Sequence, residues 1–224
     1  TFGSFVLTTN ITVHTPVFFD DFTATNSYLT NGLLGSVYNG MFLKFGDFPG
    51  QFADGTGPGS TLALDSQIST TNGLQMNSAQ SDWQGVRDDG PFLFKIVPGS
   101  RNGVSGDFEA SLEVVTMNNL NAAKIGIMAR LYNPTTGGPA PGGNENHVNY
   151  YKVQNGSTQI STADAATATI YTATGPSANN RFLLVQRIRS TNFYFYERAA
   201  TNANWTFVTN VVLIAATNDA PMEV

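Results

Sequence analysis

Asn192-Phe193-Tyr194-Phe195-Tyr196-Glu197-Arg198 alternates without a break, and in an extended strand successive side chains point to opposite faces. One face therefore carries Phe193, Phe195 and Glu197, and the other carries Tyr194, Tyr196 and Arg198. With the phenylalanines turned to a core, the Tyr194, Tyr196 and Arg198 ladder looks outward. There it suits either a sugar or cross-strand packing on a solvated sheet.

The same period-two reading extends in both directions. Apolar or β-branched runs recur at residues 41–45, 61–64, 74–76, 92–97, 108–115, 124–132, 147–154, 170–173, 182–189, 193–198, 205–208 and 211–216. Clusters of Gly, Pro, Asn and Asp separate them and supply turn geometry. No stretch carries a helical period. The spacing predicts an all-β fold, a two-sheet antiparallel β-sandwich. Residues 46–60 and 133–146 are the long irregular stretches, and the second is too rich in Pro and Gly for regular structure. Neither reads as an interdomain linker, so residues 17–224 read as one domain, preceded by a strand extension over residues 1–16.

Composition narrows the function classes. With 224 residues and 41% hydrophobic content the chain is long enough to bury a sizeable core. Eleven basic residues against 16 acidic ones give a net charge of −5, with the basic residues scattered. Nucleic acid is excluded as an expected partner, because phosphate binding needs a basic stripe. There is no cysteine, hence no disulfide and no thiolate metal site. No apolar run reaches the roughly 18 residues of a membrane helix. A polar surface with only 12% charged residues, together with a start at Thr1 without an initiator Met, predicts an extracellular protein, secreted or held at a cell surface. Asn10-Ile11-Thr12, Asn155-Gly156-Ser157 and Asn204-Trp205-Thr206 are N-glycosylation acceptor patterns.

Asp89-Gly90-Pro91-Phe92-Leu93-Phe94-Lys95, Ser105-Gly106-Asp107-Phe108-Glu109-Ala110, Ile125-Gly126-Ile127-Met128-Ala129-Arg130 and Asn149-Tyr150-Tyr151-Lys152 form a series. It resembles the concanavalin A-like jelly-roll domains appended to bacterial glycoside hydrolases, nearest the β-xylosidase C-terminal and DUF1349-type modules. Phe182-Leu183-Leu184-Val185-Gln186-Arg187, Phe193-Tyr194-Phe195-Tyr196 and Asn204-Trp205-Thr206 are similar to that group's late hairpin and its turn. The resemblance spans residues 17–224 and implies a jelly roll, with Trp205 in the core. It also implies closure of the domain by a last strand lying beside the first.

That closure directs attention to the termini. Val17-Phe18-Phe19-Asp20-Asp21-Phe22 reads as the first strand of the domain, and Met222-Glu223-Val224 as the start of the last. Residues 1–13 are a further β-prone segment ahead of both. Phe2, Phe5, Leu7, Ile11 and Val13 are its candidate assembly residues, and Phe18, Phe19, Phe22, Met222 and Val224 form the candidate acceptor edge. Donation into a neighbouring copy would be a head-to-tail contact, which need not close and so builds filaments. Closure within one chain, or an ordinary first strand, is the alternative.

Catalysis finds little support. Glu109 and Glu113 share one face of their strand, but alternation with Phe108, Ala110 and Leu112 marks that face as the one opposite the core. Asp88 and Asp89, beside Trp83 and Arg87, read as turn caps. His14 and His147 have no partners at the spacing of a triad or a zinc site. The expectation is a protein that is not an enzyme. For a polysaccharide, the candidate contacts are Trp83, Arg87, Tyr151, Tyr194, Tyr196 and Arg198, which offer ring faces and hydrogen-bonding heads. No cofactor is expected beyond a structural calcium, for which Asp20, Asp21 and Asp219 are candidate ligands should the termini meet. The leading expectation is a non-enzymatic structural protein that assembles with copies of itself by strand exchange. A carbohydrate-binding module is the alternative.

Overall fold

The computed structural model describes residues 19–27, 37–42, 62–67, 73–78, 92–97, 106–117, 124–131, 146–153, 156–164, 167–173, 180–188, 191–213 and 222–224. These residues form strands and no helix. In chain order the strands are β1 (Asn26–Ser27), β2 (Gly40–Phe42), β3 (Leu62–Gln67), β4 (Gly73–Ser78), β5 (Phe92–Phe94), β6 (Ile96–Val97), β7 (Phe108–Glu113) and β8 (Lys124–Leu131). They continue as β9 (His147–Val153), β10 (Thr158–Asp164), β11 (Thr167–Ala173), β12 (Phe182–Ile188), β13 (Asn192–Arg198), β14 (Thr206–Val212) and β15 (Met222–Glu223).

Two larger antiparallel sheets dominate. One has the order β11-β10-β9-β8-β15-β6 and the other the order β14-β13-β12-β7. Their facing sides make the core. In the second sheet Leu183, Val185 and Arg187 of β12 stand opposite Glu197, Phe195 and Phe193 of β13, so all six share the inward face. In the first, Tyr150 lies opposite both Ile127 and Ile160. The layers meet where the Tyr150 ring approaches Phe195 edge-on, 5.2 Å between centroids. Phe193, Phe195, Leu183, Ile160 and Tyr150 are fully buried, each such side chain contributing about 1.5–3 kcal/mol through removal from water. The described residues thus form an antiparallel β-sandwich.

Burial departs from simple alternation in β9, where all seven residues are buried. The side of this sheet away from the core is covered as well. There Met128 packs with Phe92 and Phe94, and the Arg130 guanidinium lies 5.3 Å over the Phe92 ring.

At the termini the structure differs from the strand reading. Residues 19–23 form no strand. The Asp20 carboxylate accepts the Phe22 N–H at 2.8 Å, and the Asp21 carboxylate accepts the Thr23 N–H at 3.1 Å and its hydroxyl at 2.9 Å. Two successive Asp side chains therefore take backbone donors that a ladder would have used. Phe22 adopts φ 53°, a left-handed conformation incompatible with continuing a strand. Its ring stacks on Tyr38 at 6.1 Å, while Phe19 is 75% exposed. Met222 and Glu223 do not lie on an edge. Met222 pairs with Leu131 on one side and Val97 on the other, and Val224 exchanges two backbone hydrogen bonds with Lys95 at 2.8 and 2.9 Å. Phe2, Phe5, Leu7, Ile11, Val13 and Phe18 lie outside the described residues.

Candidate functional site

The outer face of the four-stranded sheet gathers more of the predicted ligand-type residues than any other described surface. Register sets them in rows. Glu109, Gln186, Tyr194 and Asn210 stand side by side across β7, β12, β13 and β14, and the next row is Ser111, Leu184, Tyr196 and Phe207. The strand pairs hold this arrangement because the opposite faces of the same strands are locked in the core. In β14 the ladder slips by one residue opposite Phe195 and Tyr196. That bulge returns Phe207 to the outer face, where its ring meets Tyr196 edge-on at 5.6 Å.

Gln186 Nε2 donates to Glu109 Oε2 at 2.6 Å, which ties the two heads together across β12 and β7. A carboxylate, two amides and two phenols in adjoining rows present both donors and acceptors on one face of the sheet, with partly exposed aromatic rings beside them. At one end, Arg198 lies against two rings, 4.2 Å from the Trp205 centroid and 5.2 Å from that of Phe182. Trp205 is half-buried on this outer face and stands outside the core cluster, contrary to the position implied by the resemblance. The Tyr–Tyr–Arg ladder therefore looks outward, with Arg198 committed to its two neighbouring rings.

Glu109 and Glu113 lie on this outer face. Glu113 is paired with Arg181 at 3.0 Å, and Glu109 with Gln186. Tyr151 belongs elsewhere: it is buried, with the Lys124 ammonium 5.0 Å over its ring. Trp83, Arg87 and Asp219 lie outside the described residues. Asp20 and Asp21 are spent on the turn donors described above, and among the described residues no group of three or more His, Asp and Glu side chains gathers as a metal site would need. Among the same residues, no helix is long and apolar enough to cross a membrane.

A second grouping escaped the sequence reading. Glu197 is fully buried between the sheets, where Asn180 Nδ2 donates to its Oε1 at 3.0 Å. Lys152 of β9, 5% exposed, is the next residue after Tyr150 on the inward face, as Glu197 is after Phe195, and Tyr150 and Phe195 meet across the layers. Burial lowers the Lys152 pKa, and the Glu197 charge opposes that shift. Burial, reinforced by Glu197, pushes the Tyr150 hydroxyl far above its ordinary value. The signal was present in the quoted heptapeptide, where Glu197 continues the face of Phe193 and Phe195.

Fold and site together define an antiparallel β-sandwich with a polar and aromatic outer sheet and an ionisable cluster inside. Comparison of the chain with protein-family models, curated proteins and solved structures returns no match.

Proposed function

We propose that this is a non-enzymatic, extracellular structural protein that assembles with copies of itself by strand addition, built on a jelly roll of the concanavalin A-like class. The observation that carries the reading is β14. It is the outermost strand of its sheet among the described residues, and Thr206-Phe207-Val208-Thr209-Asn210-Val211-Val212 contains no charge, no Pro and no Gly. Phe207 and Val212 are 52% and 54% exposed. Edge strands are ordinarily blunted with Lys, Pro or a bulge, because their free backbone groups template another strand. Here the bulge is the one such device present in β14. The donor in this reading is the segment with Phe2, Phe5, Leu7, Ile11 and Val13. The acceptor becomes β14, since Met222 is paired on both sides.

Electron microscopy and light scattering of the purified chain, with and without residues 1–16, test it. The intact chain forms linear polymers; the shortened one is monomeric and binds an added peptide of residues 2–13. Identical behaviour of the two proteins rejects the N-terminal segment as donor.

A second reading, polysaccharide binding, is favoured by the Glu109, Gln186, Tyr194 and Asn210 row with Tyr196 beside it. It requires that Tyr194→Ala abolish retention on a polysaccharide in affinity electrophoresis while leaving the fold intact.

A further inference from the structure

We propose that Lys152 and Asn180 become joined by an intramolecular isopeptide bond, with Glu197 as the group that moves the proton. Three observations converge on these residues. All three are buried, at 5%, 7% and 0% exposure. The reactive amide is already in contact with the carboxylate, Asn180 Nδ2 donating to Glu197 Oε1 at 3.0 Å. The amine is placed beside them by the strands: Tyr150 and Phe195 meet across the layers at 5.2 Å, and Lys152 and Glu197 are the next residues on those same faces of β9 and β13.

The alternative is a plain buried ion pair, and its energetics are poor. Desolvating an ammonium and a carboxylate costs several kcal/mol per ion, which mutual attraction repays only when further hydrogen bonds satisfy the remaining positions. Glu197 Oε2 has no donor at hydrogen-bonding geometry. Burial favours the neutral form of the Lys152 amine, and in the step proposed Glu197 is the group that takes its proton. A neutral amine is also the nucleophilic form.

The step balances without a cofactor. The Lys152 Nζ lone pair attacks Asn180 Cγ, forming the Nζ–Cγ bond and placing negative charge on Oδ1, which the Glu197 carboxyl stabilises. Glu197 takes the surplus proton from Nζ and passes one to Nδ2. The Cγ–Nδ2 bond breaks and ammonia leaves. A secondary amide remains, no redox change occurs, and both buried charges are gone. The bond would tie β9 of the six-stranded sheet to the residues that lead into β12 of the other, a covalent tie across the sandwich. It does not depend on how copies of the chain assemble.

Intact-mass spectrometry of the denatured natural chain tests the proposal. The expected mass is that of its sequence less one ammonia, with no tryptic cleavage after Lys152. After chymotryptic cleavage at Tyr171, the fragments holding Lys152 and Asn180 remain joined. Lys152→Arg and Asn180→Ala are each expected to restore the full mass. Glu197→Gln is expected to leave most of the chain unlinked if it folds, and the natural chain decides the matter if it does not. A natural chain at full sequence mass overturns the proposal. So does loss of ammonia with the two fragments separable, since succinimide formation at an Asn-Gly pair releases ammonia too. A fully linked Glu197→Gln protein overturns the role given to Glu197.

Discussion

The Arg198 guanidinium lies 4.2 Å from the centroid of the Trp205 ring and 5.2 Å from that of the Phe182 ring. Arg198 and Arg181, whose guanidinium lies 5.6 Å over the same ring, together cover Phe182, which faces away from the core and is nonetheless 8% exposed. Trp205→Ala removes one of the two ring contacts of Arg198. A loss of about 1–2 kcal/mol is expected, the range of a partly desolvated cation–π contact, read as a lower urea midpoint with unchanged slope. Trp205→Phe should recover most of it. A Trp205→Ala protein as stable as the parent would show that the contact contributes nothing.

Gly126 is fixed by close approach. It stands opposite Tyr151 in the β8–β9 ladder, and a Cβ at that position would collide with the Tyr150 carbonyl oxygen and the Tyr151 Cα. Those are backbone atoms of a strand buried along its whole length, so they cannot yield. Gly126→Ala is expected to cost about 3 kcal/mol or more, above the usual penalty for overpacking, or to leave the protein insoluble. Thermal unfolding of the variant measures this.

Glu113 and Arg181 make an ion pair at 3.0 Å with side chains 35% and 53% exposed. Exposed pairs of this kind contribute about 0–1 kcal/mol, because water screens the attraction and two long side chains lose freedom. Glu113→Gln should therefore shift stability by less than about 0.5 kcal/mol. The change should shrink further in high salt, checked by denaturant titration at two ionic strengths.

Much of the sandwich was legible because β7 and β13 alternate between a more and a less buried face, and a half-buried strand writes its period into the sequence. β10 was not legible. Thr158-Gln159-Ile160-Ser161-Thr162-Ala163-Asp164 has Ile160 as its single large apolar residue, yet Thr158 and Ser161 are almost wholly buried because β9 and β11 flank the strand. Backbone pairing, to which hydroxyl residues are indifferent, sets its position. The runs at 205–208 and 211–216 read as two strands, whereas β14 is one strand through Thr209 and Asn210 with a bulge. On the candidate site, alternation sufficed to put Tyr194 and Tyr196 outward. It could not reveal that Arg198 is clamped by Trp205, nor that Asn180, outside any strand, meets Glu197. Those contacts arise from register between distant segments, which no local pattern encodes.

The Asp21 carboxyl sits below its ordinary value of 3.8, chiefly through the Thr23 hydroxyl and then through the Thr23 N–H. A carboxyl whose folded pKa is depressed adds stability above its unfolded pKa and loses that contribution as pH falls through the folded one. The window here lies below about 4, and the group is fully exposed, so the effect on unfolding is small. NMR titration of the carboxyl carbon is the sensitive measurement. In Thr23→Val the Asp21 pKa should rise toward 3.8 without reaching it, because the N–H donor remains. An unchanged titration would remove the hydroxyl as the cause.

Asn210 lies at the exposed outer side of β14, beside Tyr194 and clear of the core. A lysine there supplies the charge that natural edges carry and this one lacks, at little expense to folding, since a surface substitution of this kind usually stays within about 0.5 kcal/mol. Asn210→Lys should suppress polymer growth, measured by light scattering against time, while leaving the melting temperature nearly unchanged. The same substitution tests which strand accepts the donor: on the six-stranded sheet, β11 is also the outermost strand among the described residues, and it has no charged residue. If Asn210→Lys polymerises at the parental rate and Ile170→Lys does not, the acceptor is β11, and the exposure of Phe207 and Val212 serves some other contact.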